Sequence, residues 1–497
     1  MMFRSLLYLV ACFATTLAMG ALDPALVKRL AGDNDAKIAA IAEIAATGDP
    51  EALTVLKQLA DGELKVDGQE VMLNNRVRRE IEGAMAALRL VSPDRDARLA
   101  AAKGLAGGAD ESMLPLVKKA LAKETDPEIK GLLETISASM ELKGGDKATR
   151  IAAIKTLAAS SNPNSKTLLL PLLEDADADV KREAQASLMA IEGRLVWSGR
   201  VGLLFSGVSL GSILLLAALG LAITYGLMGV INMAHGELIM IGAYATYVVQ
   251  NLFRSYAPGA FDLYLAAAVP VAFAASAVVG MALERSVIRF LYGRPLETLL
   301  ATWGISLILI QAMRTFFGAQ NVQVENPGWM SGGVELMANV VLPYSRIVII
   351  GFAAAVVALI ALLLTRTRLG LFVRGVTQNR PMASALGVPT GRVDTYAFGL
   401  GSGIAGLAGC ALSQIGNVGP DLGQSYIVDS FMVVVLGGVG QLAGTVYAAM
   451  GLGIANKFLE AWSGAVLAKI AMLVFIIVFI QKRPQGLFAL KGRMADA

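Results

Sequence analysis

Gly226-Leu-Met-Gly-Val-Ile-Asn-Met-Ala-His-Gly-Glu-Leu-Ile-Met-Ile-Gly-Ala-Tyr-Ala-Thr-Tyr247 decides how the chain must be read. Apolar residues flank a short polar knot made of Asn232, His235 and Glu237, and His235 is the chain's single histidine. An amide, an imidazole and a carboxylate are costly in hydrocarbon, so they must face protein, water or a path. Gly229 and Gly236 beside them allow either a close backbone approach or a helix break that lines a cavity. Two readings of the knot stay open: residues lining a path, or side chains that pin a helix break.

The surrounding sequence fits a membrane setting. The chain has 497 residues, 55% of them hydrophobic, with 52 glycines and a mean hydropathy of +0.60. That is the composition of a polytopic protein whose helices pack through small residues. Lys, Arg, Asp and Glu crowd into residues 23–200, whereas the rest is apolar with charge confined to short stretches, so two regions in different solvents are expected. The net charge of +4 arises beside apolar spans and gives no reason to expect nucleic acid as a partner. Cys12 and Cys410 are the two cysteines, too few for a disulfide framework or a thiolate metal site. A lone histidine makes a metal site improbable, and no cofactor is expected.

Spans are expected at about 201–224, 236–253, 263–283, 297–317, 345–365 and 395–416, then a broken pair near 426–438 and 442–459, and a last one at 465–481. Most reach the ~20 residues that a helix needs to cross about 30 Å of hydrocarbon. Gly437, Gly438 and Gly440 mark the backbone break in the pair. Arg285, Arg289 and Arg294 follow the third span, Arg366 to Arg392 separate the fifth and sixth, and Lys482, Arg483, Lys491 and Arg493 follow the last. Positive-inside logic puts those loops and the C-terminus in the cytoplasm, which gives about nine crossings with the N-terminal side outside.

Met1 to Ala21 reads as a secretory signal, with Arg4, an apolar run and Ala18-Met-Gly20 before Ala21; a short N-terminal anchor is the alternative. Residues 22–195 read as a periplasmic helical-repeat domain. Lys37-Ile-Ala-Ala, Arg98-Leu-Ala-Ala and Arg150-Ile-Ala-Ala open versions of one phrase, and Val77-Arg-Arg-Glu80, Ile129-Lys-Gly-Leu132 and Val180-Lys-Arg-Glu183 open a second. A period of roughly 50 residues resembles HEAT-like solenoids, in which each helix pair buries its face against its neighbours. Helix stops are expected at Gly48-Asp-Pro50, Ser92-Pro93, Thr125-Asp-Pro127 and Asn162-Pro163. The fold class is therefore all-α, a polytopic helical permease domain over 200–490 preceded by soluble repeats.

Three stretches make the chain resemble the permease subunits of branched-chain amino acid type ABC importers. They are Tyr225–Leu238 with Gly242-Ala-Tyr244, the loop from Arg374 through Ala383 to Leu386-Gly387, and Leu436-Gly-Gly-Val-Gly440 with Gly444. The likeness extends to the B-type permeases of urea importers, which carry a soluble N-terminal extension. It implies an ATPase coupling loop at Arg374, Arg380, Ala383, Leu386 and Gly387, and leaves Asn232, His235 and Glu237 as either the translocation path or the pins of a helix break. It further implies a second homologous permease subunit, two ATP-binding cassette subunits and a periplasmic solute-binding protein that delivers a small neutral solute such as urea. Membrane lipid surrounds the spans, in a bacterial inner membrane.

From the residues alone, the short helix at Pro381–Leu386 could equally be an interfacial helix lying on headgroups. No Gly-x-x-x-x-Gly-Lys-[Ser/Thr] loop is present, so ATP hydrolysis by that route is excluded and no enzyme activity is expected. Two other classes compete: an ion-coupled carrier using Glu237 or Asp429, and an intramembrane enzyme, for which Ser209, Ser212 and His235 show no organised spacing. Gln311, Arg314, Gln414 and Asn417 are further polar residues near span ends.

Overall fold

A computed structural model describes residues 24–488, apart from 48–49, 67–68, 72, 91, 107–112, 145, 161–163, 230 and 338–339. The expected signal at 1–21 lies outside these residues, as do Lys491 and Arg493, the whole stop at 162–163 and part of the stop at 48–50. The chain divides into two compact units, Met1–Trp197 and Ser198–Ala497.

Among the described residues, the regular structure of the first unit is helical but for one two-residue ladder. Its elements are α1 (Pro24–Arg29), α2 (Asn34–Thr47), α3 (Pro50–Ala60), β1 (Lys65–Val66) paired with β2 (Gln69–Glu70), α4 (Asn75–Arg89), α5 (Arg95–Leu105), α6 (Leu114–Lys123), α7 (Pro127–Gly144), α8 (Lys147–Ala159) and α9 (Ser165–Leu169). It closes with the start of α10 (Ala178–Met228), of which residues through Trp197 belong here. The repeated phrases fall on α2, α5 and α8, and on α4, α7 and α10, each one a helix with an apolar inner face. Val77, Ile129 and Val180, the first apolar residues of the second phrases, are all fully buried. Just before each of them Asn74, Asp126 or Asp177 accepts backbone N–H bonds that the new helix cannot satisfy itself, such as Val77 N at 2.7 Å and Glu128 N at 2.9 Å. An arginine from the first helix of the copy ties the same turn: Arg98 donates to Glu124 at 2.8 Å, and Arg150 pairs with Asp175. Helix α7 gives Ile129, Leu133 and Ile136 to one core and Ala138 and Leu142 to the next. An amphipathic helix that serves two cores in this way has no stable isolated form, and its stability comes from its neighbours.

The second unit contains the rest of α10, then α11 (His235–Tyr256), α12 (Tyr264–Ser286), α13 (Pro295–Phe317), the hairpin β3 (Gly333–Met337) and β4 (Val340–Pro343), α14 (Tyr344–Arg366), α15 (Arg368–Gln378), α16 (Arg380–Ala385), α17 (Thr390–Ser413), α18 (Leu422–Gly437), α19 (Leu442–Ser463) and α20 (Ala465–Lys482). Helices stand at all nine expected span positions. Six of the described helices, namely α10, α12 with its preceding turn, α13, α14, α17 and α20, are long and apolar enough to cross a membrane. Among the remaining three, α18 has 16 residues, and α11 and α19 have 22 each with more polar side chains. The span expected from 201 is the later part of the 51-residue α10. The antiparallel hairpin was not expected; it replaces part of a region read as a plain loop.

Helix α17 is the hub. It packs on α12 and α11, and α10 joins it in one apolar core through Leu216, Leu219, Ile404 and Ala408. A second core joins α10 to α18, α19 and α20 through Leu215, Val433, Ala449 and Met472. Glycine permits the hub contacts. A Cβ at Gly242 of α11 would lie 2.2 Å from the Gly406 carbonyl oxygen, and one at Gly409 would lie 1.9 Å from that of Ile239. Between hydrocarbon-soluble helices such close backbone packing supplies the attraction that water would otherwise drive.

Candidate functional site

Chain geometry at the start of α11 creates the site. Helix α10 ends at Met228, Gly229 takes a positive φ of 65°, and the chain re-enters helix at His235. Asn232 closes a turn just before this re-entry, its Oδ1 accepting from Ala234 N at 3.0 Å. The N–H of Met233 donates to Thr302 Oγ1 at 3.2 Å on α13. His235 and Glu237 then occupy the first turn of α11, where the positive end of the helix dipole favours a carboxylate.

All three residues of the knot are buried. His235 places Nε2 2.9 Å from the Ala217 carbonyl oxygen of α10, which requires the proton on Nε2 and leaves Nδ1 a bare acceptor. The ring fits because position 220 is glycine: a Cβ there would sit 3.0 Å from His235 Cε1 and 2.3 Å from the Gly401 carbonyl oxygen. Glu237 Oε1 accepts from Ser306 Oγ of α13 at 2.7 Å. Asn232 Nδ2, His235 Nδ1 and Glu237 Oε2 have no hydrogen-bond partner among the described residues. Each such group costs about 1–3 kcal/mol if it stays unmatched. The knot thus has a structural half, turned to the backbone and to α13, and an unmatched half made of one amide NH2 group, with two N–H donors, and two acceptors.

The break between α18 and α19 is a second local feature. Gly437 ends α18, Gly438 and Gly440 have φ of +96° and +75°, and α19 begins at Leu442. A side chain at Gly438 would also meet the Phe488 carbonyl oxygen at 2.4 Å, so this corner needs glycine on two counts.

The Arg374–Gly387 loop comprises the end of α15 and all of α16. Asn379 caps α16 by accepting from Met382 N at 3.0 Å, and Gly387 follows with φ +83°. The five residues named for the loop separate by role. Ala383 is buried with Leu227, Val376, Val393 and Ala397, whereas Leu386 is 78% exposed. Arg374 donates to the Leu364 carbonyl at 2.6 Å and holds α15 against the end of α14. Arg380 pairs with Asp394 of α17 and lies over the Tyr292 ring, 4.9 Å from its centre.

Besides Glu237 and Asp429, the two acids weighed for an ion-coupled carrier, two acids lie buried one residue outside the expected spans 263–283 and 395–416. Glu284 and Asp394 are both fully buried, and Glu284 Oε2 accepts from Thr395 Oγ1 at 2.7 Å. They stand next to Arg-rich loops, which hides them in sequence. Asp429 is paired with Lys469 at 3.4 Å. Gln414 is buried, 3.0 Å from the Tyr264 hydroxyl, and Arg314 binds Asp421 at 2.8 Å, while Gln311 and Asn417 are exposed. Among the described residues no cluster of His, Cys, Asp or Glu could hold a metal.

A set of apolar helices packed backbone to backbone around one buried polar knot is the architecture of a membrane transport protein. The chain belongs to the family described as the permease component of the branched-chain amino acid transport system, whose model matches residues 203–481. It is 28% identical over 288 residues, 57% of this chain and 94% of the relative, to the high-affinity branched-chain amino acid transport system permease protein BraD of Pseudomonas aeruginosa. It is 28% identical over 289 residues, again 57% and 94%, to the corresponding protein LivH of Escherichia coli. To the probable LivH of Methanocaldococcus jannaschii it is 24% identical over 319 residues, 60% of this chain and 91% of the relative. No solved structure matches.

Proposed function

We propose that the chain is the permease subunit of an ABC importer that translocates urea or a short amide past Asn232, His235 and Glu237. One observation carries the reading: the buried knot keeps an amide NH2 group, a carboxylate oxygen and an imidazole nitrogen without partners among the described residues. A small neutral solute with NH2 donors and a carbonyl acceptor complements that set. The soluble unit agrees with the extension of urea-type permeases, as a HEAT-like periplasmic solenoid that follows a cleaved leader.

In this reading the polypeptide crosses the inner membrane about nine times, with its C-terminus in the cytoplasm. A periplasmic binding protein delivers the solute, and a second permease subunit completes the path. Two ATPase subunits grip α16, whose exposed Met382 and Leu386 present an apolar knob on a framework held by Ala383 and Arg380. Gly438 and Gly440 break the backbone where α18 and α19 turn.

A second reading rests on the relatives' names. A branched-chain amino acid would place its ammonium at Glu237 and its carboxylate toward Asn232. Uptake of labelled urea, acetamide and leucine, in cells lacking this chain and in cells complemented with it, separates the two. ATP-dependent urea uptake lost and restored supports the proposal; lost leucine uptake with unchanged urea uptake moves the substrate to amino acids. Uptake that survives ATP depletion would refute the importer reading altogether.

A further inference from the structure

A polar cleft of about 570 Å³ opens beside α16, lined by Arg285, Arg289, Ser384, Thr390 and Arg392. Its charges do not cancel. Arg380 is matched by Asp394 and Arg289 by Glu284, at 3.4 Å in the second case, whereas Arg285 and Arg392 have no carboxylate partner among the described residues. Two guanidinium groups therefore remain in surplus around one cleft, together with the first turn of α17, whose dipole adds positive potential.

The position of Arg285 on α12 says which anion fits. Val271, Ala274, Val278, Ala282 and Arg285 follow one another at three- and four-residue steps, and all are exposed. Ala268, Ala272, Ser276, Gly280 and Glu284 form the opposite, buried stripe. The exposed apolar stripe is the face that a membrane helix turns to lipid, and it ends in Arg285 at headgroup depth. Phe290, Leu296 and Leu300, exposed by 71, 79 and 67%, continue the apolar surface at the same end.

We infer that Arg285 and Arg392 form a binding site for the phosphate of an anionic phospholipid, whose chains lie along the Val271–Val278 stripe of α12. Basic pockets between spanning helices bind acidic headgroups in this way. Because Ser384 of α16 borders the cleft, the bound headgroup would also brace the coupling helix. The proposed orientation decides which leaflet supplies the lipid; the binding itself does not depend on it or on the transported solute.

The test is native mass spectrometry of the purified full-length chain, released from nanodiscs that contain equal amounts of phosphatidylglycerol and phosphatidylcholine. Wild type should retain phosphatidylglycerol preferentially. R285Q and R392Q should each reduce that preference about fivefold and the double variant roughly 25-fold, at about fivefold per guanidinium. Thermal midpoints in lipid-free detergent should be unchanged, because both side chains are exposed. Equal retention of the two lipids by wild type, or equal preference in wild type and the double variant, would overturn the site. Displacement of the lipid by inorganic phosphate would overturn the lipid as occupant and leave a soluble anion in its place.

Discussion

Replacing Arg380 by Met should destabilise the membrane unit more than replacing its partner Asp394 by Asn, and the double variant should be more stable than R380M alone. The asymmetry follows from burial: the Asp394 side chain is fully buried, whereas that of Arg380 is 39% exposed. R380M strands a carboxylate close to a second buried acid, Glu284, and removes the cation that sits over Tyr292. Breaking a buried pair from the side that leaves a buried charge costs about 3–5 kcal/mol. The partial exposure of this pair argues for the lower end, about 3 kcal/mol. D394N leaves a guanidinium that reaches water and still faces the Tyr292 ring, so about 1 kcal/mol is expected. The double variant strands no charge and should recover about 1–2 kcal/mol relative to R380M. Matched thermal scans of the purified proteins in detergent should show R380M lowered by roughly 6–10 °C and D394N by a few degrees. If both single variants cost the same, or if the double variant falls below R380M, then the pair is not a buried anchor for α16.

Other outcomes follow from the same contacts. S306A removes the donor to Glu237 Oε1, a charge-assisted bond of about 1.5–3 kcal/mol, and should lower transport at least tenfold with the protein still folded, as should E237Q; unchanged uptake in both would leave the knot purely structural. G409V puts a branched side chain where even a Cβ lies 1.9 Å from the Ile239 carbonyl oxygen, so the yield of folded protein in membranes should collapse, whereas G104A on the first unit, with open space at that position, should be silent. In the first unit, the hydrogen bond from Arg98 and the N–H groups of Asp126 and Thr125 hold the Glu124 carboxyl below the usual carboxylate range. A depressed folded-state pKa contributes stability above the unfolded value of about 4.3 that is lost as pH falls through the folded value. Protection factors for amide exchange across residues 95–130 of the full-length protein, with the acid-slowed intrinsic rate divided out, should therefore fall on acidification below pH ~4, and less steeply in R98Q.

Much of the fold is legible in the sequence because hydrocarbon imposes hard rules. Helices stand at each of the nine expected apolar segments, and Pro, Gly and Arg runs fall at their ends. The corner at Gly438 and Gly440 could be read because few residues other than glycine take a positive φ beside a close backbone contact. The 51-residue α10 was harder to foresee. Its charged beginning and apolar end look like different segments, yet neither contains a proline or cap that would stop a helix. The hairpin at 333–343 was hidden for another reason: its apolar residues are mostly exposed, so no alternation of burial marks it.

The candidate site shows where such reading fails. Asn232, His235 and Glu237 stand out because a carboxylate or an imidazole in an apolar run has no cheap explanation. Their partners Thr302 and Ser306 do not stand out, because a hydroxyl in a membrane helix can bond its own preceding turn at little cost. Thr302 does so, donating to the Thr298 carbonyl at 2.8 Å while it accepts from Met233. A hydropathy scan therefore passes over them. A spacing argument would have found them: Thr298, Thr302, Ser306 and Ile310 recur every four residues, and they are the buried face of α13. In an otherwise lipid-exposed helix, hydroxyls on a single stripe mark the side that meets protein. On α13 that stripe reaches the knot at two points, Met233 and Glu237. The same logic exposes Glu284 and Asp394, each on the inward stripe of its helix and each answered by an arginine from a loop. For a chain of this kind, polar residues inside spans are best read by the stripe they occupy, and only then by their chemistry.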